Sequence, residues 1–187
     1  MTYTNSVFVN NTILLPTYYE EFDTTAIAIY EQALPGYNVV GIDCNQIISA
    51  SGAIHCITHS VGVEDPMLIS HQPLDDTEDT VNPYAVDALV QHRSGIALAR
   101  MFWRLSGDTE YNEVAMTASV DDMWSANIPA QTEGSVVQYY VEGTSESGKV
   151  QDRPMPAPEG YWQFRVGEMQ VNGMNESPSF AGFQPAF

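Results

Sequence analysis

β-rich runs at the start of the chain give way to a helical spacing of apolar residues and then to a short apolar strand. Ser6–Asn10 and Thr12–Leu15 are separated by Asn10-Asn11, and paired asparagines tolerate the positive φ that a tight hairpin turn demands. From Thr24 to Leu34 the residues Ala26, Ile27, Ile29, Tyr30, Ala33 and Leu34 fall near one helical face, with Asp23 as the expected N-cap and Pro35-Gly36 as the stop. Asn38–Asp43, with Val39, Val40 and Ile42, reads as a short buried strand, and Gln46–Ala50 leads on to Gly52. The predicted order is β-β-α-β. About 60 residues of this kind cannot bury both faces of their sheet, so the unit is expected to pack against sister units.

The texture changes after Gly62. Val63–Leu74, with Pro66 and Pro73, runs into the acidic, turn-rich patch Asp75–Pro83, which reads as a boundary loop. Short alternating strands are predicted at Met67–Ser70, Tyr84–His92, Ile96–Leu105, Asn112–Ser119, Met123–Ile128, Ser135–Gly143 and Tyr161–Val166, with turn signals such as Ser94-Gly95 and Ser147-Gly148-Lys149 between them. About seven strands in about 100 residues is the signature of an immunoglobulin-like β-sandwich, here without a Cys…Trp…Cys framework. Trp103, Trp124 and Trp162 read as core or strand-edge aromatics. From Met169 periodicity is lost, as in a linker. The expected organisation is an α/β unit at 1–64, a β-sandwich at 65–168 and a tail at 169–187.

Composition narrows the partners. At 187 residues and 44% hydrophobic content the chain is not disordered throughout. Six basic residues against 24 acidic ones leave a net charge of −18, which repels nucleic acid and anionic membranes and draws cationic ligands at long range. No apolar run approaches the ~20 residues of a membrane span. Met1–Asn11 has neither a basic residue nor a long apolar centre, so it does not read as a signal peptide. Two cysteines, Cys44 and Cys56, are too few for a disulfide scaffold. No ligand set at metal spacing is visible, and no cofactor is implied.

The candidate chemistry lies in Gly52-Ala53-Ile54-His55-Cys56-Ile57-Thr58-His59, where a thiol stands between two imidazoles just after a glycine. A thiol attacks as thiolate, which a neighbouring imidazolium or a turn with free backbone N–H groups favours. The competing reading is a small buried hydrophobe, the usual fate of a cysteine in an apolar segment.

Three blocks in order, Tyr3-Thr4-Asn5, Pro35-Gly36-Tyr37-Asn38-Val39-Val40-Gly41-Ile42 and the Gly52–His59 stretch, resemble the C-terminal end of the catalytic domain in the Porphyromonas-type peptidylarginine deiminase and agmatine deiminase family. The resemblance implies that residues 1–62 are the last ββαβ unit of a pseudo-symmetric α/β propeller, and that the β-sandwich is the immunoglobulin-like domain of the secreted peptidylarginine deiminases. It implies a thiolate attack on the guanidinium carbon, loss of ammonia, and hydrolysis of the thiouronium adduct to a ureido product. Cys56 matches the nucleophile and Asn5 an active-site asparagine, with Gly52 and His59 at the substrate rim and His55 structural. The bland alternative for Asn5 is a turn-satisfying asparagine at a strand start.

The sequence also departs from that pattern. The family's general-acid histidine lies in a His-x-Asp motif, but His55, His59, His71 and His92 are followed two residues on by Ile57, Val61, Pro73 and Ser94. The chain is therefore expected to be a fragment, inactive alone, whose missing N-terminal propeller units supply that histidine and the guanidinium-binding aspartate. His59 and the appended sandwich resemble the peptidylarginine branch, which yields citrulline. Ile57 resembles the agmatine branch, which yields N-carbamoylputrescine. Peptidylarginine is the preferred reading. By resemblance to secreted relatives, the tail implies an extracellular or cell-surface destination. A reading from another class keeps only the β-sandwich, as a binding or spacer module, with Trp103 or Trp162 as a lectin-like platform.

Overall fold

The computed structural model describes residues 2–50 and 52–167, which are mostly β-sheet with one α-helix. Strand β1 (Val7–Val9) and strand β2 (Thr12–Thr17) form the expected hairpin, Val7 opposite Leu14 and Val9 opposite Thr12. Asn10 turns it at φ 54°, a conformation asparagine adopts more readily than most residues. Helix α1 (Glu20–Ala33) then leads to strand β3 (Asn38–Asp43), which lies parallel to β2 with Ile13 opposite Val39. The sheet order is β1-β2-β3, and Ile13, Leu15 and Ala26 are buried within the unit.

Two expectations for this unit are corrected. The helix starts at Glu20, four residues before Thr24, and Tyr19 caps it without a side-chain hydrogen bond. Asp23 lies inside the first turn, where Glu20, Glu21 and Asp23 together suit the positive end of the helix dipole. β3 is half-exposed, not buried, because α1 alone covers this small sheet; Val39, Val40 and Ile42 are only partly shielded.

Nine strands follow: β4 (Met67–His71), β5 (Tyr84–His92), β6 (Ile96–Leu105), β7 (Asn112–Ala115), β8 (Thr117–Ala118), β9 (Met123–Ile128), β10 (Val136–Ser145), β11 (Val150–Arg153) and β12 (Trp162–Arg165). They make two antiparallel sheets, one in the order β4-β5-β9-β8, the other β11-β10-β6-β7 with β12 also paired to β10. Tyr84, Val86, Ala88 and Val90 of β5 point inward while Ala85 and Asp87 face solvent, the period of two that a half-buried strand requires. These residues share one core with Met101 of β6, Val137, Tyr139 and Val141 of β10, and Phe164 of β12. Each such valine or larger side chain stabilises the fold by roughly 1.5–3 kcal/mol relative to exposure. Gly143 lets the sheets meet closely, since a Cβ there would lie 2.9 Å from Val90 Cγ1.

The predicted strand Asn112–Ser119 is in fact two. Ala115 pairs with Arg100 in one sheet and Thr117 with Ser125 in the other; between them Met116 drops its side chain into the core. β11 has no counterpart among the predicted strands, being four residues long and polar except for Val150. Trp103, Trp124 and Trp162 pack, partly buried, against the core. The tail expected at 169–187 lies outside the described residues.

The helix-stopping turn of the first unit touches the second. Gly36, at φ +80°, sits so close that a Cβ there would fall 2.3 Å from the Gly160 nitrogen, and one on Gly160 would fall 2.9 Å from the Pro35 oxygen. Backbone rests on backbone, which only glycine permits at both positions.

Candidate active site

The segment Thr2–Ser6 is fixed before it reaches β1. Asp23 accepts from the Tyr18 backbone N–H at 2.8 and 3.0 Å and from the Tyr3 hydroxyl at 2.8 Å. The Tyr30 hydroxyl donates to the Tyr3 backbone carbonyl at 2.9 Å, and Tyr3 and Tyr18 meet edge to face at 5.5 Å. Burial, followed by the bond to Asp23, pushes the Tyr3 phenol up to about 12, so it remains a donor at any physiological pH. Asp23, expected as a helix cap, thus clamps the strand that carries Asn5. The Tyr3-Thr4-Asn5 block pointed to this segment; the partner of Tyr3, twenty residues on, carried no sequence signal.

After β3 the chain passes buried Cys44 and a 3-10 turn, Ile48–Ala50, to reach Gly52. Ala53 and Ile54 are buried with Tyr18 and Cys44 in a small second core. That anchors the near end of the turn His55–Ile57, which carries the exposed thiol of Cys56. Cys56 is exposed, so the packed-hydrophobe reading does not describe it; it describes Cys44, which is buried.

Two of the predicted site residues meet directly, and a third joins them. The Asn5 side-chain Nδ2 donates to the Gly52 carbonyl at 3.3 Å, and the His55 backbone N–H donates to the same oxygen at 3.1 Å. A Cβ on Gly52 would lie 1.6 Å from Cys56 Sγ. Gly52 is therefore where the sulfur rests. Ala53 takes φ 47°, a left-handed conformation that costs an L-residue roughly 1–2 kcal/mol. The strain sits three residues before the thiol, the kind of place where it accompanies function. Alanine gives no hint of this in the sequence.

His59 is exposed. It lines, with His55, Phe8, Tyr37, Arg153 and Met155, a cavity of about 820 Å³ between the hairpin and the end of β11. Cys56 does not line this cavity. Among the described residues no group of three or more His, Cys, Asp or Glu is placed to hold a metal ion, and no helix is long and apolar enough to cross a membrane.

A ββαβ unit ending in a strained turn with an exposed cysteine defines the class of this site. Residues 1–61, about a third of the chain, match the family model of Porphyromonas-type peptidyl-arginine deiminase. A Legionella pneumophila (strain Paris) protein named "Putative agmatine deiminase" is 39% identical over 59 residues, spanning 31% of this chain and 17% of the relative. A Marinomonas protein of the same name is also 39% identical over 59 residues, 32% of this chain and 16% of that one. The chain thus spans about a sixth of the length of these curated relatives. Among solved structures, murine CRIg overlaps 55% of this chain and 99% of its own at 11% identity and a TM-score of 0.36, a likeness too slight to argue from.

Proposed function

We propose that this chain carries the nucleophile of a guanidine deiminase, with Cys56 as the attacking thiolate and Asn5 holding the turn that presents it. The reading is supported above all by the Asn5–Gly52 hydrogen bond, which spans 47 residues and fixes the glycine against which the exposed Cys56 sulfur rests. A guanidinium is a resonance-stabilised cation that water attacks very slowly. In the proposed reaction the Cys56 sulfur bonds to the guanidinium carbon, the C–N bond breaks and ammonia leaves with a proton. Water then displaces the sulfur and gives a neutral ureido group, splitting one difficult step into two.

Peptidylarginine is the proposed substrate class, in keeping with the description of the matching family model. Agmatine is the second reading, favoured by the names of the 39%-identical relatives. The β1-β2-β3 unit is proposed to be one part of an α/β propeller whose other units supply the histidine and carboxylates. Exposed Phe8 and Val9 on the hairpin and Phe22 and Ile29 on the helix support a covered setting of that kind. The two-sheet region is proposed to be an immunoglobulin-like sandwich, its orders β4-β5-β9-β8 and β10-β6-β7 following that fold's scheme. Secretion to the cell exterior is proposed with it.

The test is labelling of the purified chain with a haloacetamidine, a guanidinium-shaped electrophile, followed by intact mass and peptide mapping. One adduct at Cys56, with none at Cys44 and faster than with an uncharged haloacetamide, is expected. Equal rates with both reagents would remove the guanidinium-directed role.

A further inference from the structure

The cavity beside the thiol loop has the opposite character to the rest of the molecule. The chain carries 24 Asp and Glu, yet none is among the described residues that line this cavity. One of the six Lys and Arg and two of the four His do line it: Arg153, His55 and His59.

Most of the other cations have partners away from this cavity. Arg93 pairs with Asp65, Arg100 with Glu142 and Glu113, Lys149 with the Asp65 carbonyl, and Arg104 lies over Tyr111 beside Gln138. Arg165 is exposed. Half-buried Arg153 makes no ion pair among the described residues; its one hydrogen bond runs from Nη1 to the Asp152 backbone oxygen at 3.0 Å. Asp152 lines not this cavity but a neighbouring one of about 320 Å³, which shares Asn10 and Met155 with it. Burial pulls Arg153 below the usual guanidinium range, opposed by the charges of Tyr37 and Asp152. A guanidinium and two imidazoles lining one cavity that has no acidic residue among its described lining suit a carboxylate or phosphate and would repel another guanidinium.

We infer that this cavity is an oxyanion site built jointly by the two halves of the chain: Arg153 forms the fork, and His55 and His59 donate from the thiol loop. The inference stands whether or not Cys56 is a nucleophile. The anion is a small one free in solution or a carboxylate on an acidic peptide.

Titration of the full chain with inorganic phosphate, and separately with an end-blocked Gly-Asp-Gly peptide, tests it by NMR of the imidazole and guanidinium signals, with sodium chloride at matched ionic strength as reference. Saturable shifts of His55, His59 and Arg153 are expected with at least one probe, and which probe saturates identifies the source. Arg153→Gln should weaken that binding at least tenfold, Arg153→Lys less, and Arg104→Gln not at all. His59→Ala, at an exposed position, gives a second reading should Arg153→Gln fail to fold. Shifts no different from those in sodium chloride, or affinity unchanged in Arg153→Gln and His59→Ala, would overturn the proposal.

Discussion

The amide of Asn5 donates to the carbonyl of Gly52 across 47 residues of sequence and so ties the start of the chain to the thiol-bearing loop. The bond is worth roughly 0.5–1.5 kcal/mol, enough to bias the loop without dominating the stability of the unit.

Asn5→Ala is expected to leave the β-sheets folded and to leave the Gly52 carbonyl held only by the His55 N–H. Cys56 alkylation by a haloacetamidine should lose its advantage over alkylation by a neutral haloacetamide. A ratio unchanged from wild type would mean that Asn5 only satisfies a turn.

Gly52→Ala places a methyl group where the sulfur lies, 1.6 Å from its present position. The loop must then shift or the thiol rotate outward. A loss of at least tenfold in the haloacetamidine labelling rate, with Cys44 still protected, is expected; an unaltered rate would show that the loop has room to spare.

Ala53→Gly should relieve the left-handed strain at φ 47° and stabilise the loop by up to about 1 kcal/mol, an unusual sign for a glycine substitution. Hydrogen exchange of the His55 amide, which donates to Gly52, reads this locally. Faster exchange in the variant would contradict it.

Asp152 gives the chain a pH dependence of definite sign. Burial, and after it the charge of Glu142, raises its carboxyl from 3.8 to about 6, and its buried Oδ1 has no hydrogen-bond partner among the described residues. The native state therefore holds this proton more tightly than the unfolded state does. The Asp152 contribution to stability falls as pH rises from about 4 to about 6 and stays low above that range. Asp152→Asn should raise Tm at pH 7.5 and remove that decline, so Tm–pH curves of the two proteins converge near pH 4. Parallel curves would refute the assignment.

Much of this architecture can be read from residue types. Alternation in β5 places that strand to the residue, because one face is buried and the pattern has no freedom to slip. Asn10-Asn11 and Pro35-Gly36 mark their turns for local steric reasons. What escapes is decided by tertiary contact. Asp23 looks like a cap, yet spends its oxygens on Tyr3 and Tyr18. Met116 looks like a strand residue, yet marks the change of sheet. Within the site, Asn5, Gly52 and Cys56 are legible and are brought together, whereas His59 faces a different cavity, shared with Arg153 from a strand too short and polar to predict.

The central claim is that the Cys56 sulfur attacks a guanidinium carbon. Its most direct test is ureido-product formation from a blocked arginine peptide and from agmatine, by the longest protein that contains this chain, with and without Cys56→Ala. Activity that falls by at least a thousandfold in the variant, while the variant keeps its unfolding transition, is the predicted result. Product formed at an undiminished rate without that sulfur would contradict the account.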